Sequence, residues 1–311
     1  MKSHSKTVCP VRVLSVFLAL FGLCFYSNQS HAAHHLIVVT GHSGEPAFGA
    51  EIEATAKLWE EAAQKAGHSL ERIAPGEGAQ LSRVQEALGA VAHDVPEPLW
   101  VVLLGHGSAQ GKVPKFHLEG PDLTAEDLAR GLANFRRPVI VVAGFACSGA
   151  FLKPLAAPGR IVIAATRTGA EENWTRFPKL FATALSGLDA DANGDLQVSV
   201  LEAWQHATRT TERSYKEQGR LATEHAVLDD LGDGKASGPG LGMKAAQWHL
   251  LESEAEAALT PAQRSRRESV ELRITQLREK KADLSTEQYD EALEKLLLQL
   301  ANVYAGKPDE K

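Results

Sequence analysis

Four short runs in which nearly every residue is apolar constrain this chain most. They are His35-Leu-Ile-Val-Val-Thr40, Leu99-Trp-Val-Val-Leu-Leu104, Pro138-Val-Ile-Val-Val-Ala143 and Arg160-Ile-Val-Ile-Ala-Ala165. A strand that is apolar on both faces has no side to offer to water. It must lie between two layers, as the strands of a parallel sheet do beneath helices. The stretches between the runs have helical periodicity. One spans about Ala50 to Ala66, with Ile52, Ala56, Trp59 and Ala63 on one face and Gly67 as C-cap. Others are expected near Leu81 to Ala92, after the Thr124 cap, at Ala150 to Ala156, at Trp174 to Ser186 and at Val200 to Glu217. A weak strand is expected at Leu70 to Ala74. Alternating strands and helices predict an α/β three-layer sandwich with a mainly parallel sheet.

In such sheets reactive groups gather at the carboxyl ends of the strands. Here those ends are polar and glycine-rich: Gly41-His42-Ser43-Gly44, Gly105-His106-Gly107-Ser108 and Gly144-Phe-Ala146-Cys147-Ser148-Gly149. One strand–helix–strand unit separates His106 from Cys147, so their strand ends are expected side by side. A histidine within reach of a thiol lowers its pKa and generates a thiolate nucleophile. The flanking glycines let backbone N–H groups approach a substrate carbonyl. The residues therefore predict a Cys–His hydrolase or transferase acting on an acyl group. Two rivals use the same segments. His42 could serve as the base, and Ser148 sits in a small-x-Ser-x-small elbow with His206 and His225 downstream.

The pairing of an apolar strand ending in His-Gly with a later one ending in Ala-Cys-x-Gly resembles the caspase-like fold of clan CD cysteine peptidases. Ala146-Cys147-Ser148-Gly149 most resembles the legumain and GPI-transamidase family. The resemblance spans roughly Leu36 to Glu217. It implies Cys147 as nucleophile, His106 as proton shuttle, and the N–H groups of Gly107 and Cys147 as oxyanion donors. It implies a peptide or protein substrate and no cofactor for catalysis. Two positions depart from the family pattern. Phe145 stands where a Glu is usual, and no Arg follows the first strand. Arg167, after the fourth run, is the candidate substrate-binding residue. A degenerate site on the same fold would instead make a binding or assembly module, and a fully buried Cys147 would favour that alternative.

The chain has 311 residues, 44% of them hydrophobic, and three cysteines. Residues 1–32 read as a secretory signal peptide. Lys2, Lys6 and Arg12 precede the apolar run Val13 to Tyr26, and Ser30-His31-Ala32 supplies small residues at a cleavage site. The run is short for a membrane span, so after cleavage no stable span is expected. The location expected is secreted or periplasmic. Removing the leader with Cys9 and Cys24 leaves Cys147 alone, which excludes an intramolecular disulfide. The net charge of −6 argues against a nucleic-acid partner.

Residues 33–238 are expected to form the caspase-like domain and 239–311 a C-terminal helical hairpin with a tail. Thr260-Pro-Ala-Gln263 and Ser285-Thr-Glu-Gln288 start its two helices. Val270, Ile274, Leu277 and Leu284 mark the stripe of the first helix. Tyr289, Leu293, Leu296, Leu297, Leu300 and Tyr304 mark that of the second, and the hairpin is a candidate for self-association. The segment Asp191-Ala-Asn193-Gly-Asp195-Leu-Gln197-Val-Ser-Val-Leu-Glu202 matches the ligand spacing of an EF-hand-like loop. Asp191, Asn193, Asp195, the Gln197 carbonyl and Glu202 would hold a structural Ca²⁺. Leu196 stands where a glycine usually turns the loop.

Overall fold

The computed structural model describes residues 34–109, 113–236 and 241–307. The leader, with Cys9 and Cys24, lies outside the described residues. The four apolar runs are strands β1 (His35–Thr40), β3 (Leu99–Leu104), β7 (Val139–Gly144) and β8 (Arg160–Ala164). With β2 (Ser69–Ile73) and β9 (Val227–Asp229) they form a six-stranded sheet in the order β2-β1-β3-β7-β8-β9. The first five strands pair parallel, and β9 closes one edge antiparallel to β8.

Alternate residues of each strand enter opposite cores. Leu36, Val38, Trp100, Val102, Ile140, Val142, Ile161 and Ile163 face one layer, with α1 (Pro46–Ala66), α5 (Phe177–Ser186) and α6 (Val200–Glu217). Ile37, Val39, Val101, Leu103, Val141, Ala143, Val162 and Ala164 face the other. There they meet α2 (Gln80–Ala90), α3 (Ala125–Gly131) and α4 (Leu152–Leu155). Burial on both faces stabilises each large aliphatic side chain by about 1.5–3 kcal/mol. The three-layer sandwich with a mainly parallel sheet expected from the apolar runs is thus the architecture present.

Three two-residue strands were not foreseen. They are β4 (Gly107–Ser108), β5 (Lys115–Phe116) and β6 (Leu123–Thr124), which make a small antiparallel sheet on the turn after β3. Runs of two residues carry no periodicity, so this sheet has no sequence signature. Strand β9 was also missed. Its last residue begins the acidic turn Asp229-Asp230, whose carboxylates are buried but each accepts three backbone N–H groups.

The C-terminal segment contains α7 (Glu254–Ala257) and the hairpin of α8 (Pro261–Glu279) and α9 (Thr286–Tyr304). Both expected capping boxes are present. Val270, Ile274 and Leu296 form the hairpin's own core. Arg267, 3% exposed, lies 2.9 Å from Glu256 of α7 and 3.6 Å from Glu271. The Tyr304 hydroxyl donates to Glu256. Among the described residues no helix is long and apolar enough to cross a membrane.

Burial lifts the Glu271 carboxyl from its ordinary 4.5 to about 7, with Arg267 opposing. A carboxyl raised in the folded state adds stability below its unfolded pKa, and that stability is lost as pH rises through the folded pKa. Thermal unfolding of the full chain should therefore show a midpoint that falls between about pH 4.5 and 7. Glu271→Gln should flatten that part of the profile.

Candidate active site at the ends of β3 and β7

Strands β3 and β7 are hydrogen-bonded neighbours in register, with Leu104 opposite Gly144. His106 and Cys147 leave the sheet two and three residues later, on adjacent turns. Strand β1 lies on the far side of β3 from β7. His42 is therefore one strand further from the cysteine, and its Nδ1 accepts the Gly44 N–H at 3.1 Å.

His106 is fixed in one tautomer. Its Nε2 lies 3.0 Å from the Ser43 carbonyl oxygen. A carbonyl can only accept, so Nε2 carries the proton and Nδ1 of the neutral ring is the free acceptor. The Phe48 and Trp174 rings pack on the imidazole, with centroids 5.1 and 5.0 Å away. Burial lowers its pKa below the ordinary 6.5, against the opposing Ser43 hydrogen bond. The ring is thus neutral near pH 7 and able to take a proton.

Cys147 opens a short 3₁₀ turn, Ser148–Phe151, with φ of 63°. A side chain in the left-handed region is strained, and such strain concentrates at functional turns. The residue is 2% exposed. The backbone N–H of Ala109, three residues past His106, is directed at its sulfur. Burial first, and then the Glu172 carboxylate, push the thiol pKa above its ordinary 9.0. This corrects the expectation of a lowered thiol pKa, because desolvation outweighs the neighbouring turn. The resting group is a thiol, not a thiolate.

Gly107 lies beneath the Phe145 ring, where a Cβ would come within 2.3 Å of it. Phe145 therefore packs under the histidine turn. Ser148 is fully buried. Its hydroxyl lies 3.2 Å from the Thr166 hydroxyl and accepts the Thr166 N–H. It is a packing group, which removes the serine-nucleophile alternative. Arg167, at the end of β8, has an exposed side chain, and its backbone N–H donates to Glu171.

Sequence reasoning missed the segment after β8. The Cys147 N–H donates to the Glu171 carbonyl at 2.8 Å. The Glu171 carboxylate accepts from the His225 N–H and from its Nδ1. The Trp174 indole donates to Glu51 at 2.7 Å. A lone glutamate or tryptophan in a loop carries no periodicity that would have revealed these roles. Beside the histidine, a cleft of about 330 Å³ is lined by His42, Gly44, Glu45, Phe48, His106 and His117.

The acidic loop folds on itself. Asp191 accepts from Gly194 and Leu196, Asn193 from Asp195, and Asp195 from Gln197. Glu202 accepts from Ala192 and closes a capping box with Ser199. Leu196 takes φ of 67° and makes the turn usually left to glycine. Among the described residues no group of three His, Cys, Asp or Glu side chains is arranged to hold a metal ion.

No family model matches this chain, and no curated protein matches it in sequence. Solved structures do. The Drosophila initiator caspase Dronc is 13% identical, with 65% of this chain and 81% of that one covered and a TM-score of 0.44. Caspase-1 from Spodoptera frugiperda is 10% identical, covering 63% and 85%, with a TM-score of 0.42.

The thiol pKa can be tested directly. Native alkylation of Cys147, followed by mass spectrometry of its peptide, should have its midpoint above pH 9. Glu172→Gln should move that midpoint down.

Proposed function

We propose that this chain is an exported, caspase-like cysteine endopeptidase that works through a Cys147–His106 dyad. The observation that carries the reading is the β3–β7 register together with the tautomer of His106. The register sets the two turns side by side, and the Ser43 carbonyl leaves Nδ1 as the free base. The Cys147 thiol would pass its proton to Nδ1 as the sulfur attacks a peptide carbonyl. Collapse of the tetrahedral adduct breaks the C–N bond, and the imidazolium returns the proton to the departing amine. Water then cleaves the thioester with the same base. The N–H groups of Cys147 and Gly107 are assigned to the oxyanion, and Arg167 to substrate contact. Kinship with the legumain and GPI-transamidase branch rests on Ala146-Cys147-Ser148-Gly149 and belongs to this proposal.

The alternative is a noncatalytic binding or assembly module of the cell envelope. The burial of Cys147 favours it. The exposed Leu297 and Leu298 of α9 support self-association through the hairpin. The readings separate on one measurement, hydrolysis of a peptide library by the mature chain. For a peptidase, Cys147→Ala removes cleavage and His106→Ala lowers it by about 10²–10⁴. Equal residual activity in wild type and both variants would refute it.

The acidic loop is proposed to bind one Ca²⁺ in a structural role. The ligand spacing and the backbone of Leu196 support this. Calcium titration should raise the melting temperature of the wild-type chain and leave that of Glu202→Gln unchanged. A wild-type midpoint insensitive to calcium would remove the proposal.

A further inference from the structure

We infer that residues 166–174 form an occluding strap that holds the β3–β7 site shut. The Glu171 carbonyl takes the Cys147 N–H, and Trp174 covers His106. This regulation rests on the peptidase reading of the same two residues.

The strap crosses both turns. A Cβ on Gly169 would lie 2.7 Å from that of Ala109 in the histidine turn and 3.2 Å from that of Ala150 in the cysteine turn. A Cβ on Gly149 would meet the Arg167 carbonyl carbon at 2.3 Å. The Gly149 N–H donates to the Thr166 hydroxyl at 2.9 Å. The strap therefore lies directly against the cysteine turn. The Cys147 N–H is the decisive group. An N–H already bonded to a carbonyl at 2.8 Å is not free for a substrate oxyanion. Substrate and Glu171 compete for one donor, so the site is closed while the strap is in place.

Glu171 is both plug and latch. Its carbonyl fills the donor position. Its carboxylate is held by the Arg167 N–H at 2.9 Å, the His225 N–H at 3.0 Å and the His225 Nδ1–H at 2.9 Å. Trp174 is held separately by Glu51 and packs against both Phe48 and His106, which also touch each other. The side-chain holds on Glu171 and Trp174 are polar contacts at half-buried or exposed positions, and Trp174 also packs on the rim of the α1–α5–α6 core. Segments with such polar holds are where local opening is least costly.

The test uses the full chain and iodoacetamide, which needs neither His106 nor turnover. His225→Ala and Trp174→Ala are each expected to speed alkylation of Cys147 by about tenfold at fixed pH. Amide hydrogen exchange gives a second readout. The Cys147 amide should be protected in wild type, exchange together with the amides of 166–174, and lose protection in His225→Ala. Folded variants with unchanged alkylation and exchange would overturn the strap. So would a wild-type Cys147 amide that exchanges freely, which needs no variant. Faster alkylation combined with no labelling by a peptidyl acyloxymethyl ketone would keep the strap and sink the peptidase reading.

Discussion

The parallel pairing of β3 with β7 is the constraint on which everything else rests. Leu104 opposite Gly144 places two turns, from residues 41 apart in sequence, at the carboxyl ends of the sheet's two central strands. A slip of one residue would turn the apolar side chains of a whole strand to the opposite layer. Both layers are apolar here, so the cost of a slip falls on fit and not on polarity. Trp100 and Trp59 pack together on one face and Phe116 and Phe145 on the other, which makes the two cores different in shape. That difference, with the glycines at 105, 107 and 144, fixes where the strands stop. Gly144 would clash with Pro178 and the Leu103 carbonyl if it carried a Cβ, so no larger residue fits at the exit of β7.

From that exit the chain enters the left-handed region at Cys147. A non-glycine residue there costs about 1–3 kcal/mol, so surrounding contacts must hold it. They come from Ser148 and Thr166, from Gly149 seated on Arg167, and from the Glu171 carbonyl. The group that holds the cysteine backbone in place is also the group that occupies its N–H. Support and occlusion are the same contact.

The layered sheet and the two turns were legible because burial writes itself into long apolar runs, and glycine marks where backbones come close. The adjacency of the turns that carry His106 and Cys147 could be read from topology alone, since one crossover joins neighbouring parallel strands. The state of the thiol was not legible. It depends on burial of the cysteine turn and on the charge of Glu172, and both arise only when the chain folds. The roles of Ala109, Glu171 and Trp174 were hidden for the same reason. The first acts through its backbone N–H and the second through its carbonyl, groups that every non-proline residue has. The small sheet of β4, β5 and β6 was invisible because pairs of residues have no period.

A buried thiol with a raised pKa fits an inert core cysteine, but its backbone does not. A filler needs volume, and an unstrained conformation would supply it at lower cost. Cys147 instead occupies a strained position where glycine would be free, and the Ala109 backbone N–H opposes the rise of its thiol pKa. Its neighbour His106 is held neutral with one nitrogen assigned and the other open. Strain, tautomer and donor are features of a prepared site, and burial is contributed by a separable segment held through polar contacts. Removing that segment would lower the desolvation that raises the thiol pKa and free the Cys147 N–H in the same motion. On the proposed peptidase reading, opening would expose the nucleophile and free the oxyanion donor in one displacement.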